Sequence, residues 1–119
     1  MVPPESARVA VVLVVTRYRA PADTSEAEEL RAGLERARSV LAQCPGFLGG
    51  DLGRNVDEPD LWVLVTRWEH VGAYRRALSS YDVKLHAVPL LGRALDEPSA
   101  YEGVEPGTDL NVAGSRSLG

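Results

Sequence analysis

A chain of 119 residues, 45% hydrophobic and 25% charged, has room for one domain around one core and the composition of an ordinary soluble globular protein. Its net charge of −4 and its scattered basic residues, all arginine except Lys84, exclude nucleic acid and an anionic membrane as partners, since both require clustered positive charge. The single cysteine, Cys44, excludes an internal disulfide and fits a reducing compartment.

In chain order, residues 1–7 read as a flexible arm. The opening MVPPESARVA lacks the charged start and apolar stretch of a signal peptide. The apolar run Val9–Val15 is far too short to span a bilayer, so a cytoplasmic location is expected. A first strand is expected from about Arg8 to Tyr18, β-branched almost throughout. A turn at Ala20-Pro21 leads to a helix from Ser25 to about Gln43. Ser25 and Glu28 form a capping box, Glu26, Glu28 and Glu29 suit the positive helix start, and Leu30, Leu34, Ala37 and Leu41 form an apolar stripe. Pro45-Gly46 ends it. A second strand, Phe47 to about Val56, is glycine-rich and weak in isolation. The turn Asp57-Glu58-Pro59-Asp60 leads into a third, Leu61–Trp68. A second helix covers about Val71–Ser80, and a further helical stretch reaches Val88 before Pro89 breaks it. A short last strand, about Ala100–Val104, closes a domain spanning 8–104. Residues 105–119 carry too few large apolar side chains to pack and read as a flexible tail.

The order βαββαβ predicts an α+β fold, a ferredoxin-like sandwich with one antiparallel sheet and the helices on one face. Strand parity then matters. Val9, Val11, Leu13 and Val15 share one face of the first strand, and Ala10, Val12 and Val14 share the other. In the third strand Trp62, Leu64 and Trp68 lie opposite Val63 and Val65. A sheet covered on one side alternates apolar and polar, whereas these strands are apolar on both sides. Something must cover the second face, and a second copy of the sheet is the economical answer. A homodimer through the helix-free face is expected, and a charge placed at whichever of Val12 or Val63 faces the partner should split it.

The stretch PGFLGGDLGRNVDEPDLWVLVTRWEHVGAYRRALSSYDVKLHAVPLL combines Pro-Gly-Phe after a helix, a glycine-rich strand, a strand ending in Trp-Glu and a tyrosine-bearing helix. In this it resembles the antibiotic biosynthesis monooxygenase family, over roughly residues 8–104. The resemblance implies the dimeric α+β barrel fold. It implies less about chemistry, because relatives of this kind differ in task, from cofactor-independent oxygenation of polycyclic phenols to haem degradation and small-aldehyde metabolism.

The candidate site residues sit on the third strand and the second helix. Trp62 and Trp68 face the same way, either as core or as the aromatic wall of a pocket for flat substrates. Trp62 reads as core and Trp68 as rim or wall, with both kept as substrate-contact candidates. Val71, Tyr74, Leu78, Tyr81 and Leu85 align on one face of the second helix. Tyr74 and Tyr81 on that stripe are either packing or handles for a phenolic substrate, because a buried hydroxyl needs a partner. His86 lies beside the stripe and is the general-base candidate, since imidazole titrates near neutrality. His70 reads as a surface residue at the helix start, Cys44 as a small buried filler, and Arg75-Arg76 as a solvated helix face. The glycines of GFLGGDLG form no nucleotide-binding pattern, and no HExxH, CxxC or histidine–carboxylate cluster is present. No cofactor and no metal are expected.

Three functions remain. One is a cofactor-independent monooxygenase, in which an electron-rich phenol or anthrone-like molecule itself reduces O₂ and the protein supplies a dry cavity, a base and hydrogen bonds. A second is a non-catalytic ligand-binding or structural dimer. The third is haem degradation, which the resemblance ties to an asparagine on the first strand, a tryptophan within the second helix and a nearby histidine. Here the first strand has no asparagine, the helix position is Ala77, and only His86 roughly corresponds. An RNA-recognition module of the same element order is excluded by charge and by the third strand's lack of the aromatic RNA-binding pattern.

Overall fold

A computed structural model describes residues 10–110; the expected arm over 1–7 and the tail beyond 110 lie outside the described residues. The elements are β1 (Val12–Arg19), α1 (Ser25–Leu41), β2 (Phe47–Arg54), β3 (Leu61–Trp68), α2 (Val71–Leu78), α3 (Tyr81–His86), α4 (Val88–Leu91) and β4 (Ala100–Glu102). The strands form one antiparallel sheet in the order β2-β3-β1-β4, and the helices pack on one face of it. This is the expected α+β, ferredoxin-like arrangement. No helix among the described residues is long and apolar enough to cross a membrane.

Register fixes which side chains meet. Val12 pairs with Trp68, Val14 with Thr66, Thr16 with Leu64 and Tyr18 with Trp62. All eight are buried, so this is the helix-covered face. The alternate positions Leu13, Val15, Val63 and Val65 lie on the other face and are only partly enclosed by one chain. Val63 is therefore the helix-free position, and Val12 points into the core.

The cap of α1 lies one residue before the expected one. Thr24, not Ser25, is the N-cap: its Oγ1 accepts from the Ala27 N–H at 3.2 Å and donates to the Pro21 carbonyl at 2.6 Å. Asp23 turns the chain with φ 58°, leaving Thr24 extended and able to reach forward. The expected stripe holds, with Leu30, Leu34, Ala37 and Leu41 buried. Cys44 is half-buried rather than enclosed, its Sγ 3.6 Å from the Val40 carbonyl.

The Pro-Gly-Phe corner has a specific physical requirement. Gly46 adopts φ 90°, a region that favours glycine, and a Cβ there would overlap the Ala73 side chain. Its carbonyl accepts from the Glu69 N–H at 2.9 Å. One residue thus turns α1 into β2 and lets α2 sit close against the corner.

The second helical region departs from the expected single stripe. α2 ends at Leu78, Ser80 is extended (φ −72°, ψ 152°), and α3 starts afresh at Tyr81. The restart rotates the buried face: Val83 and Ala87 go inward, while Tyr81 and Leu85 are exposed. Pro89 opens α4 rather than merely ending a helix, a position where its missing N–H costs nothing.

Candidate functional site

The interior divides into two apolar clusters at the two ends of β3. One gathers Trp68 with Val12, Val14, Leu41, Ala73, Ala77 and Val83, and the other gathers Trp62 with Tyr18, Ala27, Leu30, Leu34 and Leu64. Leu90 and Leu91 of α4 pack against both, bridging the halves like a plug.

Between the halves lies a seam of polar atoms. Thr16 and Thr66 are the buried polar side chains of the described chain, and they occupy adjacent rows in the middle of the helix-covered face. Trp68 directs its Nε1–H to Thr66 Oγ1 at 2.9 Å. Tyr18 directs its hydroxyl to Thr16 Oγ1, also at 2.9 Å, and Thr16 lies 3.5 Å from the Leu64 carbonyl. Two large aromatics from opposite ends therefore aim their polar atoms toward the centre. α2 supplies Tyr74, tilted against Trp68 with ring centroids 5.7 Å apart, while Phe47 meets Trp68 edge-on at 5.2 Å. Tyr74 is positioned by the α2 cap, and that cap is His70: its Nδ1 accepts from the Ala73 N–H at 3.2 Å. His70 is thus structural rather than a plain surface residue.

Electrostatics keep this seam neutral. Burial pushes the Tyr18 phenol above its ordinary value, with the hydrogen bond to Thr16 opposing the shift. Burial raises Tyr74 as well, and Tyr74 adds a small contribution to the upward shift of Tyr18. At neutral pH both are hydrogen-bond donors, not bases. Among the described residues no group of three or more His, Cys, Asp or Glu is placed to hold a metal ion.

The candidate residues separate on inspection. Trp68 and Tyr74 come together, but Trp68 is 0% exposed, an enclosed centre rather than a rim. Trp62, expected as core, is buried yet lines an open cleft at the far end. Tyr81 is 76% exposed and His86 is exposed, both on the outer side of α3. The expected convergence of Trp68, Tyr74, Tyr81 and His86 on one cavity does not form, because the Ser79-Ser80 break rotates α3. Sequence reasoning passed over Thr16, Tyr18 and Thr66. Their signal was available in strand parity: the first two continue the inward series of Val12 and Val14, and Thr66 lies between Leu64 and Trp68.

The sheet, the helix-covered seam and the Pro-Gly-Phe corner define a small ferredoxin-like α+β domain of the type seen in compact monooxygenases. The sequence profile of the antibiotic biosynthesis monooxygenase family matches residues 11–87, and the chain belongs to that family. Among solved structures it is similar to SnoaB, a cofactor-independent oxygenase from Streptomyces nogalater, at 24% identity, TM-score 0.67, covering 82% of this chain and 96% of that one. It is also similar to a conserved protein from Methanosarcina mazei (15% identity, TM-score 0.64, covering 82% and 96%). The Rv0793 protein of Mycobacterium tuberculosis is a further likeness (21% identity, TM-score 0.60, covering 81% and 95%). No curated protein sequence matches the chain.

Proposed function

We propose that the protein is a cofactor-independent monooxygenase for an electron-rich, anthrone-like phenol, with the hydroxyl seam as its site. The observation that carries this reading is the inward convergence of Tyr18 and Trp68 on Thr16 and Thr66 in an otherwise apolar layer. Family membership supports it, as does the fold shared with a cofactor-independent oxygenase. Neutral donors fixed in a dry layer stabilise a developing oxyanion without reorganising, which is the help an ionising phenol needs. Trp68 and Tyr74 supply flat aromatic surface. Tyr81 and His86 lie outside this site, so the proton leaves the acidic substrate for solvent, not for an enclosed imidazole. Access requires the Leu90–Leu91 plug to move aside.

The chemistry balances without another reductant. The carbanion of an anthrone passes an electron to O₂, and the methylene carbon then binds oxygen. It loses its two hydrogens with one oxygen atom as water and keeps the other as the quinone carbonyl. Oxygen uptake with an anthrone under ¹⁸O₂ tests this, with one labelled atom expected in the product. Tyr18→Phe, which removes a seam hydroxyl, should lower kcat by about 10²-fold, while His86→Ala should leave it unchanged. Absence of any protein-dependent uptake would sink the oxygenase reading in favour of a non-catalytic ligand-binding dimer. Haem degradation gains nothing from the site, since Ala77 faces the core where the resemblance calls for a tryptophan.

The same proposal includes a second copy covering the helix-free face. Leu13, Val15, Val63 and Val65 form its apolar centre, with the ion pairs Arg17–Glu97 (2.7 Å) and Arg67–Asp51 (3.7 Å) around it. Val63→Asp puts an unpaired charge there, a change that costs about 3–5 kcal/mol once buried. Light scattering should show the variant as monomer and the parent as dimer at micromolar concentration. A monomeric parent would remove the dimer.

A further inference from the structure

Residues 88–94 close the interior, and they are held differently from the rest of the helix layer. α1, α2 and α3 each carry buried residues, whereas α4 carries none. The segment grips the body through Leu90, Leu91 and Ala94, all half-buried. Leu90 and Leu91 pack on both apolar clusters, and Ala94 packs on the Trp62 cluster. Pro89 has no N–H to give. The amides of Leu90 and Leu91 bond to the Ala87 carbonyl, and those of Gly92, Arg93 and Ala94 to Val88, Leu90 and Leu91. Among the described residues, no hydrogen bond or ion pair joins 88–94 to the sheet or to α1. The two ends, by contrast, are anchored. Ala87 is enclosed, and its N–H reaches the Val83 carbonyl at 2.8 Å. The Leu95 N–H reaches the Arg17 carbonyl at 2.8 Å, and Arg17 holds Glu97 through two bonds of 2.7 Å. Opposite Leu90 stands Gly33, inside α1, where glycine is an unfavourable choice. A Cβ there would come within 3.3 Å of Leu90 Cδ2, so the glycine leaves the notch in which Leu90 sits.

We propose that residues 88–94 are a flap that swings as a unit between its anchored ends and opens the hydroxyl seam to a flat aromatic molecule. The route rests on the reading of the seam as the site; the opening itself does not. Opening breaks no hydrogen bond between flap and body and gives up only the contacts of three half-buried side chains. It is therefore the local opening that this interior admits with the least loss. The flap's own turns keep its amides paired while it moves. Closed, it leaves Thr16 and Thr66 enclosed, which keeps the seam dry. A flat apolar molecule that enters replaces the contacts that Leu90 and Leu91 give up, and its preference for the open state draws the flap aside. A polar molecule of the same size offers no such replacement. The flap thus selects for apolar surface before the seam reads hydroxyls.

Thiol labelling reads the opening without turnover, so the flap and the oxygenase reading stand or fail separately. In a Cys44→Ala background, Thr66→Cys places a thiol in the seam, and mass spectrometry of the intact chain follows its alkylation by N-ethylmaleimide. Thr16→Cys is the second reporter. Below the unfolding transition the labelling rate should be nearly independent of urea, because flap opening exposes little surface. It should turn steep only where global unfolding takes over. Leu90→Ala should raise the urea-independent rate at least about fivefold. Gly33→Leu fills the notch and should raise it as well, while giving α1 a better helix former. Labelling that follows urea from zero upward at both reporters would overturn the proposal. So would a urea-independent rate that neither Leu90→Ala nor Gly33→Leu raises.

Discussion

The two tryptophans of β3 share one face, one strand and nearly equal burial, yet their surroundings treat them oppositely. Trp68 is sealed by Phe47 and Tyr74, and its N–H is answered by Thr66. Trp62 borders an open cleft, carries Arg54 over its ring, and keeps an unanswered N–H. The difference comes from the neighbours two residues along the strand. Thr66, two before Trp68, offers a hydroxyl on the same face. Leu64, two after Trp62, offers none, and the cross-strand partner Tyr18 spends its hydroxyl on Thr16. Parity assigns a face to an indole; whether its nitrogen is satisfied depends on what stands at the adjacent same-face positions.

Truncation gives the largest expected contrast. Trp68→Ala should cost about 3–5 kcal/mol, because a closed, well-packed site cannot collapse to fill the void. Trp62→Ala should cost at least about 1 kcal/mol less, since water enters from the cleft and an unpaired donor is removed. Urea unfolding at fixed protein concentration measures both. Equal losses would break the comparison. Replacement by phenylalanine sharpens it: Trp68→Phe leaves Thr66 without its donor and should cost about 1–3 kcal/mol. Trp62→Phe trims the ring beside an open cleft and deletes an unanswered N–H, so it should lie within about 1 kcal/mol of the parent. The reverse order would place the strained indole at the wrong end.

Much of the fold was legible because its cues are local and periodic. The Leu30–Leu41 stripe, the β3 bounds and the alternation of β1 all follow from spacing alone, and the buried face of α1 came out complete but for Ala27. The candidate site was less legible for an equally physical reason. A helical stripe keeps its phase only while hydrogen bonding is continuous, and Ser79 and Ser80 interrupt it. Ser80 bonds its own side chain to the Ala77 carbonyl at 2.9 Å, the local competition that makes serine a poor helix interior residue. Extrapolating the Tyr74–Leu78 face across that break carried Tyr81 and His86 to the wrong side. The plugging of the interior by Leu90 and Leu91 is a tertiary fact with no local signature.

Alkaline pH separates the halves more gently. Tyr18 belongs to the Trp62 cluster and Tyr74 packs on the Trp68 cluster, and burial raises both phenols above 10.0. A group raised in the folded state contributes stability that is complete below its unfolded value and is lost as pH climbs through the folded one. Stability should therefore hold to about pH 10 and then fall, by at most about 1.4 kcal/mol per pH unit for each phenol. Tyr18→Phe and Tyr74→Phe should each flatten that decline in urea titrations between pH 9 and 11. A decline unchanged in both variants would mean that neither phenol stays neutral through burial.

The smallest effect compares the helix caps at the two ends. α1, beside Trp62, starts on Thr24, a favoured cap whose Oγ1 receives the Ala27 N–H. α2, beside Trp68, starts on His70, whose Nδ1 receives the Ala73 N–H at 3.2 Å from an aromatic ring rather than a short polar chain. Asn and Asp lead the cap preferences, and replacing a good cap by Ala costs about 0.5–2 kcal/mol. Thr24→Ala should therefore cost about 1 kcal/mol, whereas His70→Asn should gain a few tenths, about 1–2 °C in Tm. The gain arises because a compact amide reaches the same N–H and leaves the Ala73–Gly46 contact undisturbed. A clear loss in His70→Asn would mean that the imidazole does more at this corner than cap, its ring lying against Gly72, and that the enclosed Trp68 end depends on histidine itself.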